Sequence, residues 1–255
     1  MDRRQFLGGL SALILGRSMI SCRTLEQELN TFQESHKVSI FAGHVEKPVT
    51  TNDRQGSISA SGTPEYRLND ELVRYFNELP LTASYSVTSA RENIPITQRP
   101  SLAKKLGSEV YIEIHHDSAQ TGDINRLKKG EQTAENWREL SGFSVIYNST
   151  NSHSHESLHL AQLVADELFQ AGFKPNLYHA KDIPGERRPL ADASRAIYTG
   201  GEYVLRENVM PAVLIEAGVI VNPFEEVIMK QPETQRKIVE SIDRAVQKYF
   251  AEQRR

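Results

Sequence analysis

Histidine and glutamate residues follow short apolar segments at three places in the chain. His44 follows the first segment, His115 and His116 follow the second, and Glu216 follows the third. Each segment predicts a strand, and ligand sites in open α/β sheets form at the carboxyl ends of strands. An ionised carboxylate at the end of a buried strand is costly unless a metal ion or a proton accompanies it. The spacing therefore predicts one site that gathers these side chains.

Two histidines and one carboxylate, with an open position for water, are the ligand set of a catalytic zinc ion. A further carboxylate nearby would act as the general base for that water. From the residues alone, the carboxylate ligand remains open among Glu65, Glu71 and Glu109. His115 and His116 both remain candidates for the second histidine. The residues thus predict a zinc-dependent hydrolase with two ligands undecided.

Strands and helices alternate along the part of the chain that must position this site. The apolar pattern predicts strands at residues 38–42, 84–87, 109–114, 143–147 and 212–215. It predicts helices at residues 69–79, 101–106, 155–171, 202–208 and 232–250. This alternation indicates crossover connections between strands. We therefore expect a single three-layer α/β domain, with helices on both faces of a mostly parallel or mixed central sheet.

The composition is that of an ordinary globular protein. The chain has 255 residues, of which 38% are hydrophobic and 25% are charged, and its net charge is -3. A chain of this length can bury a core without disulfides, and the negative charge argues against a nucleic-acid partner. The single cysteine excludes an internal disulfide framework and any zinc site that needs two or more cysteine ligands.

The first 21 residues predict an export signal. The run RRQFL at residues 3–7 resembles the twin-arginine signature, and a short apolar run follows it. The run MISC at residues 19–22 resembles a lipobox, whose cysteine is lipidated after cleavage. We therefore expect Cys22 to attach the mature chain to a membrane, with residues 22–36 as a tether, in the periplasm or cell envelope. A simple secretory signal that leaves Cys22 free is the alternative.

Residues 118–139 form a polar segment that is too long for an ordinary connection between elements. The segment is rich in charges and contains Trp137, the only tryptophan of the chain. Two hypotheses remain open. It is either a functional flap, which implies a regulatory protein that moves it, or a tolerated surface insertion.

Four sequence blocks resemble a known family. They are GH at residues 43–44, GTPE at 62–65 with an asparagine at 69, IHHDS at 114–118, and MPAVLIEAG at 210–218 followed by VNP and a glutamate pair. In this order they resemble the zinc-dependent N-acetylmuramoyl-L-alanine amidases of the amidase-3 family, over residues 37–250. The resemblance implies a zinc amidase domain at residues 37–255 that cleaves the bond joining muramic acid to the peptide stem of peptidoglycan.

Carried over residue by residue, the resemblance implies roles for individual side chains. His44, Glu65 and His115 would bind Zn²⁺, and Glu216 would be the catalytic carboxylate. Glu216 would take a proton from water and pass it to the leaving nitrogen. The neutral imidazoles and one carboxylate would leave a net positive charge on the metal, which stabilises the developing oxyanion.

A loop before the last block would contact the substrate. Family members bind the peptide stem with the loop that here contains His179, Arg187 and Arg188. An arginine suits a peptide carboxylate because its guanidinium can donate two parallel hydrogen bonds. A solvated loop without a binding role is the alternative reading of the same residues.

The residues around the first block depart from the family pattern. Residues 41–42 are Phe-Ala where the family usually has aspartate-proline, and residues 45–46 are Val-Glu where it has two glycines. Asp117 stands where the family has asparagine. These departures indicate a divergent branch, and they bear on substrate recognition more than on the metal ligands.

Two other functions fit the same residues. A zinc amidohydrolase that acts on a small exported peptide or a formyl-amino acid would use the same metal ligands. A catalytically silent, wall-binding lipoprotein would keep the fold alone. Glu216 argues against the second, because a binding module has no use for a carboxylate at that position.

Overall fold

Seven strands form one mixed sheet in the computed structural model, which describes residues 36–78, 83–184 and 187–254. They are β1 (Lys37–Ala42), β2 (Ser84–Thr88), β3 (Val110–Asp117), β4 (Ser144–Tyr147), β5 (Leu190–Asp192), β6 (Ile197–Thr199) and β7 (Ala212–Val219). Their order across the sheet is β2-β1-β3-β7-β4-β6-β5. The predicted export signal, Cys22 and the tether up to residue 35 lie outside the described residues.

The sheet is parallel on one side and mixed on the other. Strands β2, β1, β3 and β7 run parallel to one another. Strand β4 runs antiparallel to β7, β6 runs parallel to β4, and β5 runs antiparallel to β6. Since β1, β3 and β7 are neighbours, their carboxyl ends meet at one edge of the sheet. The predicted mixed, mostly parallel α/β sheet is confirmed.

Helices cover both faces of the sheet. They are α1 (Glu65–Arg74), α2 (Arg99–Leu106), α3 (Thr121–Lys129), α4 (Ser154–Gln170), α5 (Tyr203–Arg206), α6 (Pro223–Met229) and α7 (Pro232–Gln253). Alternate strand residues point to opposite faces. Accordingly Ile40 and Ile112 belong to the large core that includes α1, α4 and α7, whereas Phe41 and Tyr111 belong to a second core with α2 and α5. None of the described helices is long and apolar enough to cross a membrane.

Two predicted strands ended too early and one predicted helix began too late. The strands predicted at residues 109–114 and 212–215 continue to Asp117 and Val219, because their pairing extends through polar residues that an apolar pattern does not register. The helix predicted at 69–79 begins at Glu65, directly after the extended residue Pro64. Glu65, His115 and Glu216 therefore lie within α1, β3 and β7 rather than in the loops next to these elements.

The polar segment at residues 118–139 is folded and carries a small apolar core. Within it lie α3 and the fully buried Trp137, which packs in a cluster with Leu127, Tyr178 and Val219. The side chain of Asn222 donates hydrogen bonds to two backbone carbonyls, one of them that of Trp137. These contacts join the segment to the end of β7. Its action as a flap and the regulatory protein that this implies remain predictions.

Candidate metal centre

The backbone at His44 has an unusual conformation. Its φ of 65° lies in the left-handed region, which costs a non-glycine residue about 1–3 kcal/mol and is found mainly at functional sites. Gly43, before it, packs directly on His115, and a Cβ at Gly43 would lie 2.4 Å from His115 Nε2. The Gly43 N–H donates to the carbonyl of Ile114 at 2.7 Å. The end of β1 is thus bent tightly over β3, which brings the two histidine rings to 4.8 Å between centroids.

Glu65 lies between the two histidines. Its Oε2 is 3.1 Å from His44 Nε2, and its Oε1 is 3.1 Å from His115 Nδ1. The Ser57 N–H donates to Oε2 at 2.9 Å, and Asn69, one helical turn after Glu65, donates to Oε1 at 3.3 Å. Burial alone would raise the pKa of Glu65, but the two histidines more than offset it and hold the pKa well below its usual value. Glu65 is therefore an ionised carboxylate in a fixed orientation.

The three side chains can hold one cation. The ligand atoms of His44, Glu65 and His115 all lie within 4.8 Å of one another. The structure does not bring the other two candidate carboxylates to this place. The carboxylate of Glu109 binds His36 at 3.0 Å near the start of β3, and Glu71 borders a separate surface pocket next to Arg74 and Arg91.

His116 points away from this site. Adjacent residues of a strand face opposite sides of the sheet, so the ring of His115 contacts the Glu65 carboxylate at the start of α1, whereas the ring of His116 contacts Asn69, one turn further along that helix. There its Nδ1 is 2.7 Å from Asn69 Oδ1. Burial lowers the pKa of His116 to about 4, so the ring is neutral at physiological pH. The structure therefore selects His115 as the second histidine of the cluster.

Glu216 lies beside the cluster on the neighbouring strand. It is the register partner of His115 in the pairing of β3 with β7, so both side chains emerge on the same face. Its buried Oε2 has no hydrogen-bond partner among the described residues. Burial and the nearby Asp117 raise the pKa of Glu216 to about 8, although His115 partly counteracts them. A cation held by the neighbouring cluster would stabilise the carboxylate form, so Glu216 could then both accept and return a proton.

A cleft of about 250 Å³ opens in front of these groups. It is lined by His44, Ser57, Glu65, His115, His116, Asp117, Ser118, Arg188, Glu202, Leu214 and Glu216. Leu214 and Glu216 are alternate residues of β7 and share the face that α2 and α5 cover. The cleft therefore extends from the strand ends onto that face of the sheet.

Arg188 and Glu202 both line the cleft and contact each other there. The Arg188 guanidinium donates a hydrogen bond through Nη1 to Glu202 Oε1. The second oxygen of Glu202 is buried without a hydrogen-bond partner in the described part of the chain. A Cβ at Gly200 would lie only 1.9 Å from that oxygen, so a larger residue at position 200 would displace the Glu202 carboxylate from its present place.

The other two predicted substrate-binding residues lie elsewhere. His179 is mostly buried at the edge of the cleft, with its Nε2 2.8 Å from Asp117 Oδ1. Burial alone would lower the pKa of His179, but Asp117 more than offsets this and raises it. Arg187 pairs with Asp182 at 3.1 Å, and both side chains are largely exposed. The structure thus brings Arg188 to the cleft, places His179 behind the cleft residue Asp117 and leaves Arg187 on the outer surface.

A family profile matches most of the described domain. The profile of Amidase_3, described as N-acetylmuramoyl-L-alanine amidase, matches residues 38–248. The chain belongs to the Amidase_3 family. The resemblance predicted from four short blocks is therefore confirmed. In this Amidase_3 domain the blocks correspond to the end of β1, the start of α1, the end of β3 and the whole of β7.

Individual Amidase_3 relatives share modest identity with the chain. An uncharacterized cell wall amidase of Bacillus anthracis is 23% identical over 241 residues, which are 89% of this chain and 38% of that protein. A germination-specific N-acetylmuramoyl-L-alanine amidase of Bacillus subtilis is 29% identical over 115 residues, which are 42% and 48% of the two chains. The chain spans less than half the length of these curated relatives.

The fold is shared with solved structures. The N-acetylmuramyl-L-alanine amidase Ami1 of Mycobacterium smegmatis superposes with a TM-score of 0.63 at 20% identity, covering 85% of this chain and 97% of Ami1. The catalytic domain of CwlV from Bacillus (Paenibacillus) polymyxa var. colistinus superposes with a TM-score of 0.58 at 21% identity, covering 85% and 98%. At these identities the likeness establishes the Amidase_3 fold and no finer property.

Sequence reasoning missed two charged residues of this Amidase_3 domain. Arg99 Nη1 and Glu113 Oε1 form an ion pair of 2.7 Å next to His115 of the candidate metal centre. Each of the two side chains is at most about 3% exposed. The sequence did offer one signal for Glu113, since it is a glutamate within an apolar strand and lies two residues before His115. Nothing in the sequence identified its cationic partner, since Arg99 lies 14 residues away, at the start of a helix.

Proposed function

We propose that this chain is a zinc-dependent N-acetylmuramoyl-L-alanine amidase, which hydrolyses the amide bond between N-acetylmuramic acid and L-alanine in peptidoglycan. One observation carries the proposal. The ligand atoms of His44, Glu65 and His115 lie within 4.8 Å of one another, and Glu216 lies beside them on the adjacent strand. Membership of the Amidase_3 family supports the choice of substrate.

The donor set fits a zinc ion. Two imidazole nitrogens and one carboxylate are the protein ligands of many catalytic zinc sites, in which a fourth position stays open for water or substrate. When it is bound there, zinc supplies Lewis acidity, which polarises the amide carbonyl and acidifies a water molecule. His44 Nε2, His115 Nδ1 and the two oxygens of Glu65 are the atoms that would hold it.

Glu216 would move the proton. Glu216 lines the cleft beside the cluster, so its carboxylate would meet a water molecule that binds there. As the carboxylate, Glu216 would accept the proton of the attacking water. It would then donate the same proton to the nitrogen of L-alanine as the amide bond breaks, so that the leaving amine departs neutral.

Arg188 would bind a carboxylate of the peptide stem. Its pairing with Glu202 supports this role, because that pair already holds a carboxylate against the guanidinium within the cleft. A stem carboxylate would take the place of Glu202 or share the guanidinium with it. His179 would keep Asp117 oriented in the cleft wall. Arg187 would contact only a substrate that extends beyond the cleft, because it faces the outer surface.

Digestion of purified sacculi tests the proposed function. Incubation with the zinc-loaded protein should release intact peptide stems with a free L-alanine amine, and mass spectrometry identifies these products directly. The matched control is Glu216→Gln, which keeps the side-chain shape and loses the proton acceptor. Cosedimentation with sacculi without any release would favour a wall-binding lipoprotein. Hydrolysis of small N-acyl amino acids without release from sacculi would favour a small-molecule amidohydrolase.

We also propose that the mature chain is exported and anchored through a lipid on Cys22. The twin-arginine run and the lipobox-like residues 19–22 support this proposal. Metabolic labelling with a fatty acid should mark the wild-type chain, and Cys22→Ser should abolish the label. Ser18→Ala, which changes the signal outside the lipobox, is the control and should keep it. Labelling that survives in Cys22→Ser would refute the anchor.

A further inference from the structure

The guanidinium of Arg99 contacts the backbone that carries one candidate ligand and the side chain that supports the other. Its Nη1 donates to the Ala42 carbonyl at 3.1 Å and to Glu113 Oε1 at 2.7 Å. Its Nη2 donates to the carbonyl of His44, and its Nε donates to the carbonyl of Ile94 at 3.2 Å. Every nitrogen of this buried side chain therefore has a partner.

Glu113 continues this network to His115. Both residues lie on the same face of β3, two positions apart, and Glu113 Oε1 is 3.3 Å from His115 Nε2. The other oxygen of Glu113 accepts a hydrogen bond from the Tyr111 hydroxyl. The buried ion pair with Arg99 and the hydrogen bond from Tyr111 stabilise Glu113 as a carboxylate.

An ionised carboxylate only accepts hydrogen bonds, so it determines which imidazole nitrogen carries the hydrogen. His115 Nε2 must donate to Glu113 Oε1. Nδ1 faces Glu65, which is also a carboxylate, so without a cation both ring nitrogens donate; when a cation takes the lone pair of Nδ1, Glu113 holds the hydrogen that stays on Nε2. The carboxylate thus favours the tautomer that can bind a cation on the correct side.

We propose that Arg99 and Glu113 are positioning residues that preorganise both histidines for metal binding. Arg99 fixes the left-handed backbone of His44 through its carbonyl, and Glu113 fixes the ring and the tautomer of His115. A buried ion pair is often no more stabilising than apolar residues of the same volume. Its contribution here is the orientation of the two ligands. The inference rests on the proposed metal site and assigns the residues that support it.

Zinc affinity in solution tests this inference without any measurement of catalysis. The dissociation constant is measured by competition with a chromophoric chelator for wild type, Glu113→Gln and Arg99→Lys. In Glu113→Gln the amide can donate to His115 Nε2 and so favour the wrong tautomer. We expect both variants to bind zinc roughly 10- to 100-fold more weakly, which is the usual effect of removing an outer hydrogen-bond partner of a ligand. The absorption spectrum of bound Co²⁺ should change as well, because it reports ligand geometry.

Glu167→Gln is the matched control. Glu167 is also a buried glutamate with two cationic partners, Arg244 at 2.7 Å and Lys248, but it joins α4 to α7. This variant should bind zinc as wild type does. Tyr111→Phe removes only one hydroxyl donor to Glu113. It replaces Glu113→Gln as the test of the positioning role if that variant does not fold. We expect it to weaken zinc binding roughly threefold and to shift the Co²⁺ spectrum.

One result would overturn the positioning role of Arg99 and Glu113, and a different result would refute the metal site itself. Wild-type affinity and an unchanged Co²⁺ spectrum in folded Glu113→Gln and Arg99→Lys, or in Tyr111→Phe where those do not fold, would overturn this inference and leave the metal site standing. A wild-type chain that binds neither Zn²⁺ nor Co²⁺ would instead refute the proposed function.

Discussion

The two sides of the cleft differ in how completely their polar atoms are paired. On the β1–β3 side, both oxygens of Glu65 and both ring nitrogens of His115 have partners. On the β7 side, Glu216 and Glu202 each keep one buried oxygen without a hydrogen-bond partner among the described residues. An unpaired buried oxygen costs about 1–3 kcal/mol.

This difference separates the side that would hold the metal from the side that would take part in the reaction. The paired side has its geometry fixed before any ligand arrives, which is what a metal site requires. The unpaired side retains acceptors that a water molecule or a substrate can use. The unpaired oxygens destabilise the folded state, and active sites often contain such locally unfavourable features. The first three variants below each alter one side and should leave the other intact, and the fourth lies outside the cleft.

The largest effect is expected from Glu65→Ala on the paired side. It removes the carboxylate that both histidines contact, so zinc should be lost and hydrolysis of sacculi should fall to the level of a blank. Metal content by elemental analysis and product release by mass spectrometry are measured on the same sample. Full zinc occupancy in Glu65→Ala would contradict the assignment of the ligand set.

Glu216→Gln on the unpaired side should separate metal binding from proton transfer. We expect about one zinc per chain, as in wild type, together with a decrease in kcat of about 10²- to 10⁴-fold, the usual contribution of a general acid–base residue. The control is Glu167→Gln, which should be fully active. If Glu216→Gln keeps its activity, another group moves the proton.

Arg188→Gln should affect substrate binding more than the chemical step. Loss of a charge-assisted hydrogen bond corresponds to about 1.5–3 kcal/mol, or roughly a 10- to 100-fold higher KM for soluble muropeptides. Arg187→Gln is the matched control, since the adjacent arginine pairs on the outer surface. Equal effects in the two variants would exclude a specific carboxylate contact at Arg188.

The smallest effect is expected at Glu225, a buried carboxylate outside the cleft that also has one oxygen without a hydrogen-bond partner among the described residues. Burial raises its pKa from 4.5 to about 7. A raised pKa means that the folded state holds the proton more tightly. The stability that this contributes is complete below pH 4.5 and is lost as the pH rises through about 7.

Glu225→Gln removes this titration. At pH 8 the variant should therefore be more stable than wild type, by on the order of 2 kcal/mol, whereas near pH 4 the two should converge. Urea unfolding at a series of pH values measures the difference. A constant difference at every pH would show that the Glu225 carboxyl does not titrate abnormally. Unchanged hydrolysis of sacculi would confirm that an unpaired oxygen outside the cleft affects stability alone.

The sequence predicted the parts of the fold and site that depend on local pattern. The apolar periodicity identified the five longer strands and the helices α1, α2, α4, α5 and α7, but it missed α3 and α6. Polar residues at strand ends predicted that His44, His115 and Glu216 would meet. The three-residue strands β5 and β6 carry too few residues for any periodicity to be visible.

What the sequence left open depends on contacts between distant residues. The choice of Glu65 over Glu109 follows from where α1 begins, which the apolar pattern placed four residues too late. The pairing of Arg99 with Glu113 and of Arg188 with Glu202 joins residues that only the folded sheet brings together. Side-chain chemistry can nominate such residues, but the partner is a property of the tertiary structure.

The pair His115-His116 has a consequence for how the chain tolerates change. A slip of β3 by one residue against β7 would turn every side chain of the strand to the opposite face. The ring of His116 would then take the place of His115 beside Glu65, and His115 would be buried against Asn69 of α1. The fully buried Ile112 and Ile114 prevent this slip, because they would have to exchange places with charged neighbours. Two isoleucines that never meet a ligand thus determine which histidine is presented, and a single-residue insertion or deletion in β3 should eliminate metal binding without altering any ligand.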